Sequence, residues 1–154
     1  MSRITCRTPS TGKPLRISLA NVSTSLTTIA ESPDFSVPDA AVAYSTRDPL
    51  DTTRAIRPGE VFFLTPLAAR NKSGSLAWIE TSLYTEDNVR ISLANVAVPA
   101  LDTAFIPLQG RSLFKRDANT AIGDIIQIRA TANNVFDVWA AAEEKLSSEH
   151  SGVQ

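Results

Sequence analysis

The amino-acid sequence predicts an all-β domain: an antiparallel β-sandwich or jelly-roll-like barrel with a long irregular N-terminal arm. Three features carry that expectation. Apolar and polar residues alternate in several short runs, the period of a half-buried strand. Turn-forming residues interrupt those runs every eight to twelve residues or so, about the rhythm of sandwiches and barrels. Pro33, Pro38, Pro49 and Pro58 punctuate the first part of the chain too often for a long helix, and the short strands beyond leave no room for the helical crossovers of a βαβ arrangement.

In chain order, Leu15, Ile17 and Leu19 alternate with Arg16, Ser18 and Ala20 and predict a short strand. Pro33, Pro38, Pro49 and Pro58 follow, and between them only residues 40–44 predict another. Residues 1–58 therefore read as an arm and loops packed on the sheet, residues 59–146 as the sandwich core and residues 147–154 as a flexible tail. Pro58-Gly59 predicts a turn into the dense apolar run 61–64, which has the character of a central strand. The polar turn 71–75 leads into a strand over 76–84. There Ala77, Ile79, Thr81 and Leu83 share one face, and Trp78, Glu80, Ser82 and Tyr84 the other.

Glu86-Asp87-Asn88 turns the chain into Val89, Ile91 and Leu93, which alternate with Arg90, Ser92 and Ala94. Ala104, Ile106 and Leu108 make a further alternation closed by Gly110. The clearest strand follows Gly123, with Ile126, Ile128, Ala130 and Ala132 on one face and Ile125, Gln127, Arg129 and Thr131 on the other. Asn133-Asn134 predicts a tight turn into a last strand reaching about Ala142, with Phe136, Val138 and Ala140 inward. That segment also fits helical spacing through Val135, Val138, Trp139, Ala142 and Leu146; the two-residue asparagine turn favours the strand. One heptapeptide, Arg16-Ile17-Ser18-Leu19-Ala20-Asn21-Val22, recurs at residues 90–96 without matching flanks, which excludes a unit-length solenoid repeat.

Composition narrows the function classes. A net charge of −1 gives no global field toward nucleic acid or an anionic membrane. No apolar run approaches the length of a membrane span, and the first residues lack the apolar core of a secretory signal. Arg3, Arg7, Lys13 and Arg16 precede the first acid, Glu31, so the arm is basic while the remainder is net acidic, ending in Glu143, Glu144 and Glu149. Such an arm suits an acidic neighbour, including another copy of the chain, better than nucleic acid, since no aromatics interleave with it.

Catalytic signatures are lacking. Cys6 alone forms no internal disulfide or cysteine-based zinc site, and His150, the single histidine, falls in the tail. The six glycines match neither a dinucleotide fingerprint nor a phosphate loop, and Asp48 and Asp51 lack the other ligands of a calcium loop. Glu80, Asp102, Asp124 and Asp137 are the carboxylates able to serve as an acid–base pair, but turn chemistry and solvation account for each. The sequons at Asn21 and Asn71 stand without any other sign of secretion. No catalytic residue, metal or cofactor is expected. Trp78, Tyr84 and Trp139 are more telling: all three fall in phase with polar neighbours, opposite the predicted core, where exposed aromatic area marks an interface.

Pro58-Gly59-Glu60-Val61, then Asn71-Lys72-Ser73-Gly74, then residues 98–103, then residues 123–130 follow one another in an order that resembles small virion proteins of tailed bacteriophages. The resemblance spans residues 56–146. It implies a compact β-sandwich that attaches to a capsid lattice or to tail components: a virion protein made in the host cytoplasm, on the capsid surface ahead of the tail. A decoration or cement protein of that kind bridges major capsid subunits, forms homo-oligomers, and needs no nucleic acid or membrane. The contact residues would then be Arg3, Arg7, Lys13 and Arg16 of the arm with Trp78, Tyr84 and Trp139. A tail or neck component, or a glycan-binding adsorption module, is the alternative.

Overall fold

The computed structural model describes residues 13–38, 54–115 and 123–146. Arg3, Cys6, Arg7, the 40–44 run and His150 lie outside them. The described residues form β1 (Lys13–Leu19), β2 (Thr27–Glu31), β3 (Asp34–Pro38), β4 (Arg54–Phe63), β5 (Leu67–Asn71), β6 (Ala77–Tyr84), β7 (Arg90–Val98), β8 (Thr103–Ile106), β9 (Ser112–Phe114), β10 (Ile125–Ala130) and β11 (Phe136–Leu146), with no helix among them. Strands β1, β3, β4, β5, β8, β9 and β11 make a seven-stranded sheet, and β2, β10, β6 and β7 a four-stranded one. Every pairing is antiparallel. The chain is an all-β sandwich.

Strand β11 organises the larger sheet. Along one edge it pairs with β1, from Lys13 opposite Glu144 to Leu19 opposite Val138. Its other edge is shared end to end by β5, opposite residues 136–139, and β4, opposite residues 142–146. At the junction the Leu64 and Thr65 amides both donate to the Ala141 carbonyl at 2.9 and 3.3 Å, and the Ala141 amide donates to Thr65 Oγ1 at 2.9 Å. No backbone group of β11 is left bare there. With ladders on both edges, helix propensity in Ala141–Glu144 has no influence, and the strand runs four residues past Ala142.

The core lies between the two sheets. Phe136, Val138, Ala140 and Ala142 of β11, with Ile17, Val61, Phe63, Leu67 and Ile106, face Ile79, Val98, Ile126 and Ile128 of the smaller sheet, and all are buried. The alternations at 77–83, 126–130 and 136–140 thus point inward as expected; Ala132, past the end of β10, is exposed.

The N-terminal region differs from an irregular arm where it is described. Besides β1 it supplies β2 to the edge of the smaller sheet and β3 to the larger one. Both strands are five residues long, and proline stands at either end of β3, as edge strands tolerate. Pro58-Gly59 is not a turn. It lies inside β4 where the strand changes partner, from β3 for residues 54–58 to β11 for residues 59–63. Gly123 also has a packing reason: a Cβ there would stand 2.8 Å from Lys115 Cβ and from Ser32 Oγ.

The repeated heptapeptide occupies two outermost strands, β1 in one sheet and β7 in the other, with unlike outcomes. Ile17 is 3% exposed and its counterpart Ile91 45%. Asn21 has a φ of 59° and ends the first copy in a turn, whereas Asn95 stays within β7. The β6–β7 register shifts between Thr81 and Ser82, which makes Leu93 an extra residue, and Leu93 and Ala94 both pack toward the core.

Asn71 secures the β5–β6 turn. Fully buried, it donates through Nδ2 to the Ser75 and Val98 carbonyls at 2.8 and 2.9 Å and accepts at Oδ1 from the Ser73 amide and hydroxyl at 2.8 and 2.7 Å. Its sequon is therefore a turn device, not a glycan acceptor. Asn71→Ala strands the buried Val98 carbonyl and removes the turn's bonds to Ser73 and Ser75, and is expected to cost about 2–3 kcal/mol, read as a lower urea midpoint at unchanged slope. A loss under about 0.5 kcal/mol would contradict this account.

Asp137 ties the end of β1 to β11. The Asn21 amide donates to its Oδ1 at 2.9 Å, and Lys72 Nζ lies 3.0 Å from the same oxygen. The Asn21 hydrogen bond first, and Lys72 after it, hold the carboxyl below the ordinary carboxylate range against modest desolvation. A carboxyl depressed in the folded state adds stability above its unfolded pKa and loses it as pH falls through the folded value. Asp137→Ala is expected to cost about 0.5–1 kcal/mol at neutral pH, small because the pair is half-exposed. Denaturant titrations should show the gap to the unsubstituted protein closing below about pH 4. A gap that stays constant down to about pH 2 would refute the linkage.

Candidate binding surface

Two sheet faces remain outside the core, and their chemistry differs. On the larger sheet, strand register places Ser18, Trp139, Ala68 and Phe105 in one row across β1, β11, β5 and β8. Trp139 is 45% and Phe105 68% exposed, while Ala68 between them is 2% exposed. Two strand spacings of about 4.8 Å set the aromatic backbones about 10 Å apart. The next row outward is Asp137, Arg70 and Thr103, and on the other side Arg16 is paired with Ala141. The surface is an aromatic row with a polar rim.

The outer face of the smaller sheet is polar between aromatic ends. Trp78, 44% exposed, and the partly buried Tyr84 both lie on β6, six residues and about 20 Å apart. Between them Glu80 pairs with Arg129 at 2.6 Å, and Asn95 stands opposite Glu80 on β7. Farther along, Arg90 donates to Gln127 Oε1 at 3.2 Å, and the Ser82 hydroxyl, buried on this face, has no hydrogen-bond partner. Trp78, Glu80, Asn95, Arg129, Ala130 and Thr131 enclose a depression of about 150 Å³. Thr131 fixes its wall, because the Trp78 amide donates to Thr131 Oγ1 at 3.2 Å and the Thr131 amide to the Trp78 carbonyl at 3.1 Å.

The residues singled out in the sequence are thus divided rather than gathered. Trp78 and Tyr84 lie on one side of the sandwich, and Trp139 on the other with Arg16. Lys13 is exposed at the start of β1, opposite Glu144. Phe105 is the surface residue that sequence reading missed. Its signal was its phase, since it alternates with the inward Ala104 and Ile106.

The four carboxylates do not converge. Glu80 is held by Arg129 on the smaller sheet, and Asp137 by Lys72 on the larger. Asp102 accepts the Thr103 amide at 2.8 Å in a turn. Asp124 accepts the Glu86 and Phe114 amides at 3.2 and 3.4 Å; burial pushes its carboxyl above the ordinary range, against those two donors. A larger cleft of about 530 Å³ is lined by Glu31, Asp34, Lys115 and Glu144, with the Lys115 ammonium 3.0 Å from Asp34. Among the described residues no three His, Cys, Asp or Glu side chains are grouped to hold a metal, and no helix is long and apolar enough to cross a membrane.

No protein-family model matches the chain, and no curated protein matches it. Among solved structures it is similar to the Clostridium thermocellum N-terminal endo-1,4-beta-D-xylanase 10B, CBM22-1 and GH10 modules, complexed with xylohexaose. Identity there is 8% and the TM-score 0.35, with 88% of this chain aligned to 28% of that one.

Proposed function

We propose that this chain is a phage virion structural protein, a decoration or cement protein that docks on major capsid subunits and stabilises the head. The observation that supports it is the Trp139–Ala68–Phe105 row, beside the sequence resemblance over residues 56–146. Apolar and rimmed by Arg16, Arg70 and Asp137, the row has the make-up of a protein contact: aromatic centre, charged edge. Withdrawing the exposed parts of two such rings from water is worth roughly a few kcal/mol. One contact of that size is weak, and repetition over a lattice of oligomeric copies makes it strong by avidity. The basic residues of β1 and the segment before it add steering toward an acidic neighbour, a salt-sensitive contribution.

Sedimentation of the purified protein with undecorated heads from its source phage tests the reading. Trp139→Ala and Phe105→Ala are each expected to weaken head binding about tenfold or more. Arg16→Glu should weaken it less, and mainly at low salt. Absence of head binding, or binding indifferent to both aromatic substitutions, would sink the proposal. Binding to tails instead of heads would make the chain a tail or neck component.

A further inference from the structure

The groove on the outer face of the smaller sheet has a composition that capsid docking does not explain. Its middle is charged, with Glu80 and Arg129 side by side, whereas the centres of protein interfaces are depleted of charge. Its ends are aromatic. A sugar ring has the matching pair of properties: an apolar C–H face that stacks on an indole, and an edge of hydroxyls that both donate and accept.

We propose that this groove binds a neutral oligosaccharide, one pyranose stacking on Trp78 while Glu80, Arg129 and Asn95 hydrogen-bond its hydroxyls.

Four observations support the assignment. The depression beside Trp78 measures about 150 Å³, the size of cavity that takes one six-membered ring. The Glu80–Arg129 hydrogen bond engages the guanidinium through Nε, so further N–H donors and carboxylate lone pairs remain beside one another, and Asn95 adds an amide of both kinds. That arrangement suits neighbouring hydroxyls on one ring. The two charges cancel, so the pocket selects for hydroxyls rather than for an ionised group. The wall is also pre-organised: β6 is an inner strand, and Thr131 pins the Trp78 backbone through both its amide and its carbonyl, so little ordering entropy is lost on binding. From there the polar pair Gln127 and Arg90 leads toward Tyr84, about 20 Å away, room for an extended chain of several sugars.

The inference goes beyond the decoration reading and stands without it. It is tested on the isolated protein with an array of neutral oligosaccharides that includes cellohexaose, chitohexaose and mannohexaose. The chain has two tryptophans, so Trp139→Phe leaves Trp78 as the single indole and Trp78→Phe leaves Trp139. Titrating a bound hexaose should shift the emission of the first variant and leave the second silent. Trp78→Ala should lower affinity at least tenfold with an unchanged far-UV spectrum, since the side chain is half-exposed. Arg129→Met should weaken binding while keeping the side-chain stem. Trp78→Ala should still bind heads as the unsubstituted protein does, which separates this site from the capsid face. Binding of no glycan on the array, or binding that survives Trp78→Ala, would overturn it.

Discussion

The pairing of β11 along both of its edges is the constraint on which the rest of the larger sheet depends. An eleven-residue strand with β1 on one side and β4 and β5 on the other commits the first and last described strands to one sheet. Its inward residues, Phe136, Val138, Ala140 and Ala142, meet the smaller sheet, and its outward residues present Trp139. Because side chains alternate with period two, a slip of one residue would bury Trp139 and Asp137 and expose Phe136 and Val138. The Asn71 turn and the Asp137–Asn21 tie stand next to the end where such a slip would begin.

From that register the two outer faces inherit their contrast. On the larger sheet the small Ala68 of β5, between β11 and β8, lets the rings on either side define an apolar strip. On the smaller sheet the central positions are Glu80 and Arg129, so the same architecture yields a polar channel between aromatics. A two-layer sandwich keeps these two surfaces back to back, one on each sheet.

Much of the fold was legible in the sequence because burial imposes alternation. Ile126, Ile128 and Ala130 alternate as buried strand residues do, and the left-handed turns at Asn88 and Asn134 were signalled by residues that accept positive φ, but Asn133-Asn134 joins strands of different sheets and closes no hairpin. Strands β2 and β3 were not legible. Edge strands need few apolar residues, and Pro33 and Pro38 mask them as loops. The partner change at Pro58-Gly59 looked like a turn because proline and glycine serve both purposes. For the surfaces, periodicity showed which aromatics point outward but not which sheet each belongs to. That depends on pairings more than a hundred residues apart, such as Asn21 with Asp137.

The duplicated heptapeptide has a consequence for how the chain finds this arrangement. Two identical segments are each suited to lie at a sheet margin, so β11 and β6 can each recruit the wrong copy while the chain is still collapsing. Only context separates them: a turn follows the first copy, while the second continues as strand and carries a bulge. The native pairing of β1 with β11 spans over a hundred residues, whereas β6 and β7 are sequence neighbours. Local closure therefore claims the second copy early, leaving the first free for the late, long-range partner. Sequence proximity, rather than side-chain identity, sorts the twins.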